Sequence, residues 1–204
     1  FWTRFMPSRK MVDAFLKENL IGQMTSMTVE FGYALEHRER LVKPELAGGA
    51  LLDLGVYTIN FALMFAGSEV KNVTSAAVLS PEGVDWANSV TLTFENGCLA
   101  TLHSNMRSNT HNHGTIYGKE GRIEVENTNN FESIKVFDKD GVLLRDLEIP
   151  KQVTGYEYEV LACMKAVSEG KLECEEMPHS ETIRMMEIMD EARAQWGMKY
   201  PGEE

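Results

Sequence analysis

The sequence predicts an α+β domain: one predominantly antiparallel, mixed sheet of about six or seven strands, with the helices gathered on one face. Three observations predict this class. A long β-rich stretch, at residues 70–149, occupies the middle of the chain. The turn signals Glu95-Asn96-Gly97 and Asp140-Gly141 join neighbouring segments of it as antiparallel hairpins. Apolar patterns with helical spacing stand at the start, at residues 47–66 and at the end.

The first elements are a helix, a strand and a charged loop. After the aromatic and basic opening FWTRFMP, Pro7 and Ser8 begin a helix that Gly22 ends. Residues 24–33 contain β-branched side chains in partial alternation and are predicted to form a strand. Residues 34–46 hold the densest charge in the chain and are predicted to form a loop.

A loop and a buried helix are predicted at residues 47–66, which read AGGALLDLGVYTINFALMFA. The two glycines allow a tight turn and a close backbone approach. Asp53 and Tyr57 are four residues apart, so on a helix they lie on one face of an otherwise apolar segment. The apolar side of this helix is predicted to carry Leu51, Leu52, Val56, Ile59 and Leu63.

The remainder of the chain is predicted as strands followed by two helices. The strands are expected at residues 70–79, 89–94, 98–105, 114–118, 121–126, 133–137 and 142–149. The helices are expected at residues 155–169 and 180–196. Their side chains predicted to face the core are Tyr158, Leu161, Ala162 and Met164 in the first helix, and Ile183, Met186, Ile188 and Met189 in the second.

Composition sets the broad class. At 204 residues and 43% hydrophobic content, one domain spanning residues 1–204 is expected. The net charge of −11 argues against nucleic acid or an anionic membrane as a partner. Cys98, Cys163 and Cys174 form no Cys-x-x-Cys pair, which favours a reducing compartment. With no signal peptide and no stretch of about 20 apolar residues, we expect a cytoplasmic protein.

The sheet face opposite the helices is predicted to lie bare. It would carry side chains that are only mildly polar, and a broad face of this kind seldom stays in contact with water. We therefore expect a homodimer that pairs these faces. The side chains assigned to the face are Thr91, Thr93, Thr101, His103 and Asn105.

Two interpretations of Asp53 and Tyr57 have about equal weight on pattern alone. In the first, the acid caps the helix start and the phenol buries its ring. In the second, Tyr57 transfers a proton to a substrate oxygen and Asp53 orients it, which requires a nearby cation to lower a pKa of about 10. A metal site at His111 and His113 is disfavoured because no further ligand stands at a recognisable spacing.

The segments FWTRFMP, AGGALLDLGVYTIN, GVDW at 83–86 and SETIRMMEIMDEAR together resemble the C-terminal domain of the Gfo/Idh/MocA oxidoreductases. Within that family, the WTRF-x-P opening and the tyrosine at position 57 resemble the dimeric trans-1,2-dihydrobenzene-1,2-diol dehydrogenase branch. The resemblance implies an N-terminal Rossmann domain, absent from this sequence, which binds NAD or NADP and supplies a lysine from a Glu-Lys-Pro segment. It implies catalytic roles for Tyr57 and Asp53, substrate contacts for Trp2 and Arg40, and a cofactor contact for Arg4.

The function that this resemblance implies is hydride transfer between nicotinamide and a sugar, cyclitol, diol or carbonyl substrate. This chain would be the substrate-binding and dimerisation domain, and it would be inactive without the other domain. The alternative is a non-catalytic sheet module for dimerisation or partner binding, with Asp53 and Tyr57 serving capping and packing.

Overall fold

A computed structural model, which describes residues 1–203, shows one eight-stranded mixed sheet. The strands are β1 Met24–Gly32, β2 Val70–Leu79, β3 Asp85–Phe94, β4 Leu99–Asn105, β5 His113–Gly118, β6 Gly121–Glu126, β7 Ser133–Asp138 and β8 Leu143–Leu147. Their spatial order is β2-β3-β4-β1-β5-β6-β7-β8. β1 pairs in parallel with β4, and the other neighbouring strands pair antiparallel.

The α+β class and the mixed sheet are confirmed, but the predicted count of six or seven strands was wrong. β1 lies in the centre of the sheet, between β4 and β5, although it comes first in the chain. Local turn signals identify hairpins such as β3–β4 and β7–β8, and both of these are present. They cannot identify a parallel pairing between strands that are far apart in sequence. Residue 204, the predicted end of the domain, lies outside the described residues.

Five α-helices accompany the sheet in the part of the chain that the structure describes. The predicted helix at 47–66 begins as a turn of π-helix, Leu51–Gly55, and continues as α3. Two short 3-10 turns occur at Trp2–Phe5 and Pro44–Leu46. The α-helices are α1 Pro7–Lys17, α2 Glu39–Val42, α3 Val56–Ala66, α4 Glu157–Ser168 and α5 His179–Trp196.

The core lies between one face of the sheet and helices α1, α3 and α5. α3 is buried along nearly its whole length, from Thr58 to Phe65. By length and composition alone, the stretch Pro44–Ala66 could span a membrane, which corrects the expectation that no segment was apolar enough. Most of that stretch is buried inside the domain, as in the core helix of a globular protein.

The predicted inward faces of the last two helices were wrong in part. In α5, Ile188 and Met189 are buried as predicted, but Ile183 is 58% exposed. The stripe that packs on the sheet is instead Met185, Ile188, Met189 and Ala192. In α4, Leu161 and Met164 are 60% and 63% exposed, because α4 packs beside the turn Trp2–Phe5 and not on the sheet.

The opposite face of the sheet is open. A row of five threonines crosses it from strand to strand at its middle, and the row continues as Glu124, Lys135 and Asp146. The threonines are half-buried or exposed except Thr115, which is buried. In spatial order they are Thr74, Thr91, Thr101, Thr28 and Thr115.

Candidate functional site

Tyr57 stands in the first turn of α3, half-buried, with its ring among aromatic side chains. Its ring centroid lies 4.9 Å from that of Phe1 and 5.2 Å from that of Phe31. Its hydroxyl oxygen accepts a hydrogen bond from Nε1 of Trp2 at 3.4 Å. An indole N–H can only donate. Trp2 therefore positions the phenol oxygen and leaves the phenol proton for another acceptor.

Trp2 is itself enclosed by the segment that leads into α4. The indole packs on the ring of Tyr156 with centroids 4.7 Å apart. Gly155 has φ of +89°, and a Cβ at this position would clash with the indole ring. Glycine tolerates both the positive φ and the close approach. Trp2 is only 8% exposed, so its side chain supports Tyr57 from inside the domain and offers little surface to a substrate.

Asp53 and Arg40 form an ion pair at the rim of this region. Asp53 lies in the π-helical turn and Arg40 in α2, so the charged loop folds back over the start of α3. The Arg40 side chain is 59% exposed, and exposed pairs of this kind contribute at most about 1 kcal/mol. Among the described residues, the hydrogen bond of Asp53 goes to Arg40 and not to Tyr57.

The pKa of Tyr57 is raised from its ordinary value of 10.0, first because burial disfavours the phenolate. The hydrogen bond from Trp2 acts in the opposite direction, whereas the nearby Tyr156, Asp53 and Glu159 raise the pKa further. Within this chain, Tyr57 is thus a neutral phenol near pH 7. Among residues 1–203, the main groups that act on this pKa include no cation.

A buried acid, Asp85, binds the backbone directly after the two glycines that precede α3. The sequence pattern did not identify it as a functional residue. Asp85, which begins β3 and is fully buried, accepts hydrogen bonds from the Leu51 N–H at 2.9 Å and from Asn88 at 2.8 Å. Gly49 has φ of +115°, and a Cβ there would clash with Asp85. The Tyr200 hydroxyl donates to the Gly48 carbonyl at 2.7 Å. These contacts fix the entry to the helix that carries Tyr57.

Arg4, predicted to contact the cofactor, points into the domain. Its Nε donates to Asn60 at 2.6 Å and its Nη2 to Glu181 at 2.8 Å, and its side chain is only 6% exposed. Asn60 also donates to Thr3 at 2.9 Å. This network fastens the turn Trp2–Phe5 to α3, one turn beyond Tyr57. In this structure Arg4 is an internal anchor for the site, and its placement gives no support to a direct cofactor contact.

The structure therefore joins four of the five predicted residues into one continuous group. Trp2 bonds to Tyr57, Tyr57 lies one turn from Asp53, and Asp53 pairs with Arg40. Sequence reasoning missed Tyr156, Asp85 and Asn60. Asn60 and Asp85 carried a usable signal, since each is a polar residue inside an apolar stretch, and such residues need a buried partner. Tyr156 carried no signal because its contact depends on the path of α4.

The histidines on the open sheet face do not make a metal centre. The rings of His111 and His113 are 5.4 Å apart, and His103 bonds to the Asn88 carbonyl through Nδ1 at 3.0 Å. Among residues 1–203, no group of three or more His, Cys, Asp or Glu side chains is arranged to hold a metal ion.

The family model and the curated proteins that match this chain all point to one oxidoreductase family. The family model for the GFO/IDH/MocA C-terminal domain matches residues 10–124. Trans-1,2-dihydrobenzene-1,2-diol dehydrogenase from Danio rerio is 32% identical over 98% of this chain and 61% of its own length. The scyllo-inositol 2-dehydrogenase (NADP(+)) IolU from Bacillus subtilis is 30% identical over 79% of this chain and 48% of its own length. The chain thus spans about three fifths of the first of these relatives and about half of the second.

Solved structures show the same fold. The 3-ketoreductase KijD10 from Actinomadura kijaniata, in complex with NADP and TDP-benzene, superposes with a TM-score of 0.84 at 21% identity, covering 95% of this chain and 60% of that one. The aldose-aldose oxidoreductase from Caulobacter crescentus superposes with a TM-score of 0.82 at 17% identity, covering 98% and 62%. Taken with the family match over most of the sheet, these likenesses lead to one conclusion: this chain belongs to the Gfo/Idh/MocA family and corresponds to its C-terminal domain.

Proposed function

We propose that this chain is the substrate-binding half of an NAD(P)-dependent oxidoreductase that interconverts an alcohol and a carbonyl on a diol, cyclitol or sugar. Tyr57 is the proposed proton-transfer residue. The observation that carries the proposal is the state of its hydroxyl, whose oxygen accepts from Trp2 while its proton remains free to be donated. The relatives include a diol dehydrogenase and an inositol dehydrogenase, which supports this substrate class.

We propose that residues 1–203 supply only the substrate side of a nicotinamide site. In the described part, the glycines at 114, 118 and 121 lie in β5 and β6, so they form no phosphate-binding loop between a strand and a helix. A nicotinamide cofactor, when bound, would accept or supply the hydride. Tyr57, supported by Trp2, would face the substrate oxygen, and the second domain of the full-length protein would hold the nucleotide.

Arg40 and Asp53 are proposed to contact the substrate at the rim. Arg40 gives one nitrogen to Asp53, and its guanidinium has further N–H donors on a side chain that is mostly exposed. These donors suit hydroxyl or carbonyl oxygens of a polyol. The pair would therefore select and orient the substrate, while Tyr57 handles the proton.

The raised pKa of Tyr57 gives the two reaction directions different pH dependences. Reduction of a carbonyl needs the protonated phenol, which is the form present at neutral pH. Oxidation of an alcohol needs a proton acceptor, so its rate should rise with pH as the phenolate becomes populated. A cation from the second domain would shift that rise towards neutral pH.

Substitution of Tyr57 in the full-length protein tests the proposal. Tyr57→Phe keeps the ring that packs on Phe1 and Phe31 and removes the proton, so kcat should fall by about 100-fold or more with NAD(P) affinity nearly unchanged. Steady-state kinetics and cofactor titration measure the two quantities. Tyr117→Phe, on the open sheet face, is the matched control and should retain kcat.

Two outcomes would decide against the proposal. If Tyr57→Phe keeps kcat within about twofold, Tyr57 is not the proton donor. If the full-length protein turns over no diol, cyclitol or sugar with either cofactor, the non-catalytic alternative is favoured. The ion pair of Asp53 with Arg40 is the observation that agrees with that alternative, because it occupies the acid without Tyr57. The 204-residue chain alone is expected to show no dehydrogenase activity.

We also propose that the open sheet face forms a homodimer. The threonine row carries uncharged β-branched side chains across the centre of the face, and along this row charged side chains begin only at β6. Glu30 of β1, paired with His103, is a charged residue beside the row. Thr101→Arg would place a charge at the centre of this surface and should convert a dimer to a monomer in sedimentation velocity at micromolar concentration. Thr182→Arg, exposed on α5, is the control. A wild-type chain that sediments as a monomer would contradict the proposal.

A further inference from the structure

Two cysteines that are separated in sequence meet beside the middle of α4. The sulfur of Cys163, on α4, lies 3.8 Å from the sulfur of Cys174, in the segment that follows the helix. A disulfide requires about 2.05 Å between the sulfurs. Both cysteines are free thiols. The two sulfurs would have to approach by less than about 2 Å to form a disulfide.

The two thiols differ in surroundings. Cys163 is exposed, whereas Cys174 is half-buried and its strand-like bridge to Met177 holds its backbone in place. Met177 packs against the main core, so the Cys174 segment is fastened to the domain. Burial and the neighbouring Cys163 raise the pKa of Cys174, which keeps it a thiol near neutral pH. Cys163 is therefore the sulfur that a reagent in solution reaches first.

Cys98 provides a contrast within the same chain. It is fully buried in the core, and burial raises the pKa of its thiol to about 11. Thiolate character and access together govern thiol reactivity, so Cys98 should be inert while the chain is folded.

We propose that Cys163 and Cys174 form a reversible oxidation site that takes up disulfide reagents such as oxidised glutathione. The Cys163 thiolate attacks one sulfur of the reagent, which forms a mixed disulfide and releases one glutathione thiolate. The Cys174 thiol then loses its proton and attacks the Cys163 sulfur, which forms the internal disulfide and releases the second glutathione. The two protein thiols are oxidised by two electrons, and the glutathione disulfide is reduced to two thiols.

The bond would join a loosely attached helix to a fastened segment. Within residues 1–203, Ala166 is the one buried residue of α4, and Tyr156 contacts Trp2 at its start. A link at Cys163 would restrain the middle of the helix, roughly two turns beyond the Tyr156 contact with Trp2. Oxidation should therefore slow hydrogen exchange of α4 amides, whereas α3 amides should not change.

Mass spectrometry of the folded chain treated with oxidised glutathione tests the site. The expected product has lost two hydrogen atoms and retains no glutathione, and a non-reducing digest shows the 163–174 link. Cys174→Ser should keep one glutathione on Cys163, because the resolving thiol is missing. Cys98→Ala should behave as the wild type does.

Three results would overturn the proposal. The first is a wild-type chain that retains glutathione on either cysteine without an internal link. The second is a chain in which Cys163 and Cys174 stay reduced under conditions that oxidise a model dithiol. The third is a Cys174→Ser variant that loses two hydrogen atoms as the wild type does, since the partner would then be Cys98.

Discussion

Helices α3 and α4 are both apolar, but the domain buries one and leaves the other largely in solvent. α3 has all its residues from Thr58 to Phe65 buried. α4 has Val160, Met164 and Val167 exposed by 54%, 63% and 77%. An apolar periodicity thus predicts a helix without predicting what covers it. Clustered exposed apolar side chains mark an interaction surface, and α4 adjoins Trp2 in the candidate site.

The difference follows from how each helix is attached. Asp85 binds the backbone before α3, and Asn60 in α3 binds Arg4 and Thr3, so the helix is held at both its start and its middle. α4 is held through the aromatic contact at its first turn. α3 thus completes its packing within this chain, whereas the apolar side of α4 stays exposed.

Truncation of one apolar side chain in each helix gives the largest expected contrast. Ile59→Ala in α3 creates a cavity in a fully buried position and should lower the free energy of unfolding by about 2–5 kcal/mol. Leu161→Ala in α4, at a 60% exposed position, should change it by less than about 0.5 kcal/mol. Urea unfolding followed by circular dichroism measures both values. Equal losses would show that α4 is packed as tightly as α3.

The attachment of α3 through Asp85 predicts a pH effect. Burial raises the pKa of Asp85 to about 6 from an ordinary 3.8, against the hydrogen bonds from Asn88 and Leu51. The folded state therefore binds this proton more tightly than the unfolded state. The stability from this group is fully present below pH about 4 and is lost as pH rises through about 6, a total of about 3 kcal/mol.

Asp85→Asn should remove that dependence. The difference in unfolding free energy between variant and wild type should therefore change by about 2 kcal/mol between pH 4 and pH 7, measured by urea unfolding at each pH. Asp146→Asn, exposed on β8, is the control and should leave the pH profile of stability as it is in the wild type. A parallel pH profile for Asp85→Asn and wild type would mean that the Asp85 carboxyl is not perturbed by burial.

The smallest expected effect is the change in unfolding free energy when a charge is introduced on the exposed side of α4. Met164→Glu should change the unfolding free energy of the 204-residue chain by less than about 0.5 kcal/mol, because the side chain is already in water. Val142→Glu, 58% exposed in the turn before β8, is the control. A loss of more than about 1 kcal/mol for Met164→Glu would show that Met164 is packed within the chain.

Much of the architecture could be predicted from local pattern. Short turns between alternating segments gave the β3–β4 and β7–β8 hairpins, and the apolar run with two glycines gave the loop and helix that carry Tyr57. The prediction failed where a contact joins distant parts of the chain. The central place of β1, the outward faces of Leu161 and Met164, and the inward course of Arg4 are of this kind.

By itself, the sequence determined the α+β class, the helix at its centre and the spacing that sets Asp53 one turn before Tyr57, because periodicity and turn preferences act over a few residues. The tertiary structure alone decided that Trp2 meets Tyr57, that Asp85 holds the entry to α3, and that Cys163 meets Cys174. These contacts bring together separate segments of the chain. Which of these contacts form depends on the packing and desolvation of the whole domain, and a local sequence pattern does not contain that information.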